Sequence, residues 1–141
     1  MESDWAAKRR AAARVHEAAL AQAQAAESAQ ARSLLADFVA KVKALGIAPE
    51  RLEATGYSGG RPYKTDVVGW YLRSNRTVAT DPEGRYFVLQ TPGGWAARFT
   101  GVRLTPEEPP LTVGRGGRDG EAIDLKDLLA LRLAELTAAN G

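Results

Sequence analysis

Apolar positions are distributed unevenly along this chain. Leu34, Leu35, Phe38, Val39, Val42 and Leu45 recur at helical spacing and form a stripe suited to packing on a domain. Upstream of that stripe only Trp5, Val15 and Leu20 are large and apolar, and the other residues are mainly Ala and polar side chains. Neither Gly nor Pro occurs in the first forty-five residues, sixteen of which are Ala, so helix propensity is high throughout. Ser3 or Asp4 supplies a start cap, and Gly46 followed by Pro49 supplies a stop. The pattern predicts one long helix from Asp4 to Leu45. At ~1.5 Å per residue it would run about 60 Å, whereas a globule made of the rest of the chain is roughly 32 Å across. Part of the helix must overhang, fold back or meet another chain. Ser28 and Ser33 make Glu27 to Ser33 the weakest stretch, where a break would fall.

From Ile47 onward the pattern changes to short apolar runs punctuated by Gly, Pro and Thr, which read as strands and turns. The expected division is therefore a helical arm over 1–46, its second half packed on the domain, and a small domain over 47–141. Leu52 to Tyr57 is a first strand. Val67 to Arg73 is a stronger one, with Val68, Trp70 and Leu72 on one face and Tyr71 and Arg73 on the other. Thr77 to Thr80 and Arg85 to Thr91 flank Asp81-Pro82-Glu83-Gly84, a type I turn sequence, and make the clearest hairpin. Trp95 to Leu104 reads as a further strand whose alternation slips, so a bulge near Gly101 is expected, leaving Arg98 and Arg103 outward. After the stiff Pro106 to Pro110 connection, Leu111 to Val113 adds a short strand before the Gly114 to Gly120 loop. Asp124 then caps a helix carrying Leu125, Leu128, Leu129, Leu131, Leu133 and Leu136, a broad apolar face for the sheet. Together these elements predict an α+β fold: a long N-terminal helix, a predominantly antiparallel sheet of about four to six strands, and a C-terminal helix packed on it.

Composition removes much familiar chemistry. The 141 residues contain no Cys and one His, which excludes disulfides, thiolate nucleophiles and His-based metal clusters or triads within one chain. No catalytic residue, metal or cofactor is assigned on this inventory. No apolar run is long enough to span a membrane and no hydrophobic signal core follows the basic N-terminus, so no membrane partner and a cytoplasmic location are expected. A net charge of +2 is a weak pointer to polyanions.

Four groups of residues carry the functional expectations. Lys8, Arg9, Arg10 and Arg14 form the densest basic cluster; with Arg73, Arg98 and Arg103 they are the candidate nucleic-acid contacts, although on a helix the first four spread around the axis and Asp4 and Glu17 offer local pairing. Trp5, Tyr71 and Arg73 are candidate partner contacts, Trp, Tyr and Arg being common interface anchors. Arg115, Gly116, Gly117 and Arg118 could cradle an anion through backbone amides and guanidinium groups, although a tight turn explains the same glycines. Asp119 and Glu121 beside Arg118 are the nearest thing to an acid/base pair, and turn stabilisation accounts for them equally well. His16 reads as an ordinary surface residue of the arm. Ala11, Ala12, Ala18, Ala19, Ala25 and Ala26 recur at seven-residue intervals and permit close approach of a second helix, though such a seam buries little area.

The run Gly69-Trp70-Tyr71-Leu72-Arg73-Ser74-Asn75-Arg76, with Pro109-Pro110-Leu111 and Gly117-Arg118-Asp119-Gly120-Glu121, resembles an uncharacterised small-protein family of high-GC Gram-positive bacteria. The resemblance implies a real folded unit over the chain after the arm and brings with it no activity, cofactor or site. The leading expectation is thus a non-enzymatic cytoplasmic interaction module, a homo-oligomer or the binder of a protein partner, acting through the arm or an Arg/Tyr sheet face. A nucleic-acid-binding accessory protein is the first alternative, and a small-molecule or anion binder using the Gly/Arg loop the second.

Overall fold

The computed structural model of the chain describes residues 3–114 and 122–140. A single helix, α1 (Asp4–Ala44), opens it without a break. Ser3 is the N-cap, its hydroxyl accepting from the Ala6 amide at 3.3 Å. The stop is a Schellman arrangement in which the Gly46 amide donates to the Lys43 carbonyl at 3.0 Å and the Ile47 amide to the Val42 carbonyl at 3.3 Å. That geometry needs a left-handed residue at position 46, and Gly46 supplies it at φ +75°. Between Glu27 and Ser33 the helix continues, because Ser ranks only modestly below Ala in helix propensity and no Pro removes a backbone donor.

The remaining elements are β1 (Glu50–Gly56), β2 (Tyr63–Tyr71), β3 (Val78–Thr80), β4 (Tyr86–Val88), β5 (Gln90–Thr91), α2 (Trp95–Thr100), β6 (Thr112–Val113), β7 (Ile123–Asp124) and α3 (Leu125–Asn140). Five strands form one sheet in the order β4-β3-β2-β1-β5, antiparallel except for the parallel β1–β5 pair, while β6 and β7 form a separate antiparallel ribbon. The architecture is the α+β arrangement that the pattern predicts. The β3–β4 hairpin is also where the turn sequence places it. Its buried Asp81 carboxylate accepts from the Glu83 amide (3.0 Å), the Arg85 amide (2.9 Å) and Arg85 Nε (2.6 Å).

The run expected as one strand, Arg85 to Thr91, does two jobs. As β4 it pairs with β3, and as β5 it pairs with β1 at the opposite end of the strand order. Leu89 is the joint: its amide donates to the Thr77 carbonyl and its carbonyl accepts from the Thr55 amide, both at 2.9 Å. The two edges of the sheet are therefore neighbouring stretches of one segment, and the sheet curls round on itself.

Closure creates two cores. Leu52, Ala54, Tyr71, Ala79, Phe87 and Leu89 pack together inside the curled sheet, with Leu104 and Val67 at its margin. On the outside, Leu35, Phe38 and Val42 of α1 and Leu125 and Leu128 of α3 cover Trp70, Leu72, Val78 and Tyr86. Tyr71 is thereby removed from the outer face on which it was expected: it is buried, and its hydroxyl accepts from the Glu53 amide at 2.9 Å. The alternation between Trp70 and Tyr71 is as expected, but in a closed sheet the second face is an interior. Val68, expected beside Trp70 and Leu72, is exposed, because the helical layer stops short of it.

Two further expectations are corrected. Residues 95–100 form the helix α2 and not a strand, bracketed by Gly94 and Gly101, and Val102 makes only an isolated bridge to Thr65. The slipping alternation is thus a short helix containing the strong helix formers Ala96 and Ala97, with no bulge involved. In α3, Leu125, Leu128 and Leu129 are buried, but Leu131 is exposed, so the apolar face is narrower than its leucines suggest. Among the described residues no helix is long and apolar enough to cross a membrane.

Candidate functional site

The first surface is the overhanging half of α1. All five buried residues of this 41-residue helix, Ala31, Leu35, Phe38, Val39 and Val42, lie in its last third. From Asp4 to Gln30 no residue is buried. Trp5 is exposed, with the Arg9 guanidinium 4.1 Å over its ring, and Val15 and Leu20 are exposed as well. Because the helix is unbroken, side-chain directions in the arm follow from the packed end. Trp5, Ala12, Ala19 and Ala26 are seven residues apart, and with Val15 and Ala23 they share a stripe roughly 140° around the axis from the face that grips the domain. This stripe, small and apolar apart from Lys8 in its first turns and Gln30 at its end, points away from the protein's own core.

Lys8, Arg9, Arg10, Arg14 and His16 are all on this arm and exposed, separated from the domain by the helix itself. Arg73 is half-buried at the end of β2, beside Tyr86. Burial pushes the Tyr86 phenol up to about 12, the Glu107 carboxylate adds to the rise, and Arg73 opposes it. Of the Gly/Arg loop, Arg115, Gly116, Gly117 and Arg118 lie outside the described residues, as do Asp119 and Glu121.

The second surface is assembled by α2. Arg98 Nη1 donates to the Pro62 carbonyl at 2.9 Å, and its guanidinium lies 3.8 Å over the Tyr63 ring. The Tyr63 hydroxyl in turn accepts from the Gly94 amide at 3.1 Å. Beyond the helix, the Val102 amide donates to the Lys64 carbonyl (2.8 Å) and the Asp66 amide to the Val102 carbonyl (3.0 Å). The Leu104 amide donates to the Asp66 carboxylate at 2.9 Å. Thus α2 and the segment after it are fastened along β2 at both ends.

Between α2 and the β1–β2 pair run two adjoining cavities of about 430 and 390 Å³ that share Arg51, Lys64, Thr100 and Gly101. Arg61 and Arg98 line the first, and Arg103 the second. Five cations therefore face one groove. Its two carboxylates are already engaged, Asp66 by the Leu104 amide and Glu53 by Arg76 at 3.9 Å. Among the described residues the side chains of Arg51, Arg61, Lys64 and Arg103 make no hydrogen bond or ion pair. Phe99 on the α2 wall is 79% exposed.

The structure thus brings Arg98 and Arg103 together and leaves Arg73 and the Lys8–Arg14 cluster elsewhere. Arg51, Arg61, Lys64 and Phe99 have no counterpart among the residues singled out by the sequence pattern. A local signal existed for two of them: Arg51 alternates outward from Leu52 in β1, and Phe99 adjoins Arg98. Their convergence depends on contacts between residues 31 to 38 positions apart. No protein-family model matches the chain, and no curated protein or solved structure matches it.

Proposed function

We propose that this protein is a non-enzymatic cytoplasmic interaction module that self-associates through the overhanging half of α1. The observation that carries the proposal is the division of that helix: no residue from 4 to 30 is buried in the described chain, while all five buried residues of the helix lie between Ala31 and Val42. An isolated helix gains little beyond its own propensity, and most helical stability in proteins comes from packing one face. From Ala12 onward the stripe Ala12, Val15, Ala19, Ala23, Ala26 offers such a face with small side chains that allow two helix axes to approach closely, and Trp5 and Lys8 flank it at the helix start. A second copy presents the same stripe, which a two-fold interface requires. The residue inventory favours interaction over catalysis, since the single His16 is on the exposed arm and Cys is absent.

Sedimentation velocity of the full chain over a concentration series tests this. A concentration-dependent shift from monomer to dimer is expected, and an Ala12→Glu/Ala19→Glu variant, which puts carboxylates in the seam, should sediment as monomer with its thermal midpoint at the dilute wild-type value. A wild-type chain that stays monomeric at high micromolar concentration would sink the proposal, as would a dimer indifferent to both substitutions.

A further inference from the structure

We propose that the groove between α2 and the β1–β2 pair binds single-stranded nucleic acid, with phosphates on Arg51, Arg61, Lys64 and Arg103 and a base face on Phe99. The inference stands apart from self-association, since the groove is built wholly from the domain. Four of its five cations have no ion-pair or hydrogen-bond partner among the described residues, yet they converge on adjoining cavities. Asp66, and Glu53 shared with Arg76, offset only part of the charge of these cations, and cations left over along a groove recognise an anion that is itself extended. Arg98 is committed to Tyr63 and the Pro62 carbonyl, so its part is to hold α2 against the sheet.

Phe99 chooses among extended anions. It is a large apolar ring, 79% exposed, set on the wall of this basic groove. An acidic peptide has carboxylates for the cations but no regular planar group for the ring. A duplex has phosphates, but its base faces are stacked on one another and closed to a side chain. A single strand alternates phosphates with accessible base faces, the combination that basic grooves with exposed aromatic side chains bind. The same chemistry is present in both sugars.

The test is fluorescence anisotropy of fluorescein-labelled dT and U oligonucleotides of about 12 nucleotides, titrated with the full-length chain at several salt concentrations. Binding is expected to weaken with salt at a log–log slope near −3, about four phosphate contacts at ~0.7 each. Arg51→Ala/Arg103→Ala should roughly halve that slope and weaken binding about tenfold or more at moderate salt. Phe99→Ala should weaken it about tenfold with the slope kept. A charge-matched control, Lys41→Ala/Lys126→Ala, alters exposed cations of α1 and α3 and should bind as wild type. All of these positions are exposed, so thermal midpoints should stay at the wild-type value. Tighter binding of one sugar identifies the source of the ligand, and binding of either supports the site. The proposal is overturned by absence of binding at low salt, or by equal affinity for a duplex. Equally effective competition by polyglutamate overturns it too, as does indifference to the groove substitutions or to Phe99→Ala.

Discussion

A single methyl group added at Gly69 should be among the most damaging changes this domain can receive. Gly69 lies in β2 opposite Glu50 of β1, and its backbone has ordinary extended geometry, so conformational freedom is not what it provides. What it provides is space. A Cβ at this position would overlap the Thr80 carbonyl oxygen and come within 2.9 Å of the Asp81 Cα. Both are backbone atoms at the end of β3, and no rotamer change relieves the clash. β3 must move outward, which weakens the Trp70–Thr80 pairing and the bond from the Leu72 amide to the Val78 carbonyl, now 2.9 Å. Overpacking of this kind costs about 1–3 kcal/mol, and two weakened ladder bonds add about 1 kcal/mol each. Gly69→Ala is therefore expected to cost about 3–5 kcal/mol, a large part of the 5–15 kcal/mol typical of whole proteins. At about 4 °C per kcal/mol for a chain of this size, the thermal midpoint should fall roughly 10–20 °C. Gly46→Ala is the matched control: no atom lies within 4 Å of its Cβ, so only the left-handed φ of +75° is penalised, at about 1 kcal/mol. Urea denaturation followed by circular dichroism measures both. If Gly69→Ala lost no more stability than Gly46→Ala, the close β2–β3 approach and the steric reasoning built on it would be wrong.

Two other outcomes follow from the buried polar groups. The Tyr86 phenol holds its proton up to about 12 in the folded chain against an ordinary value of 10.0. Stability from its neutral form is fully present below pH 10 and is lost as pH rises toward 12, up to about 2–3 kcal/mol. Denaturation curves between those limits should show that loss in the wild type and a flatter profile in Tyr86→Phe; parallel profiles would contradict it. In the β3–β4 turn, Asp81→Ala removes the acceptor of the Glu83 and Arg85 amides and should cost about 2 kcal/mol in urea denaturation. Asp81→Asn keeps one acceptor oxygen and should recover part of that loss, whereas equal losses in the two variants would show that charge, not the amide contacts, matters.

The parts of this protein legible in its residues are those built from short-range interactions. α1 starts at a Ser whose hydroxyl meets an amide three residues on, and it ends at a Gly whose amide meets a carbonyl three residues back. The β3–β4 turn is closed by Asp81 on residues two and four positions away. The scarcity of large apolar residues before Leu34 and the length of the helix relative to a small globule showed that its first half exceeds what the domain can cover, but left open whether that half overhangs, folds back or meets another chain. At the caps and the turn the partners are close along the chain, so local sequence specifies them.

Packing settled the rest. Strand alternation assigns Trp70 and Tyr71 to opposite faces, but it does not say whether the second face meets water or an interior. That was decided when Leu89 passed from a bond with Thr77 to a bond with Thr55 and closed the sheet around Tyr71. The segment 95–100 is ambiguous between strand and helix because a run this short carries little periodicity, and its Tyr63 and Pro62 anchors lie more than thirty residues earlier. The basic groove follows from that docking, since Arg51, Arg61, Lys64, Arg98 and Arg103 are brought together only when α2 lies along β2. Local energies favour the elements from the sequence around them, whereas which residues of distant elements share a surface depends on how the whole chain buries its apolar area.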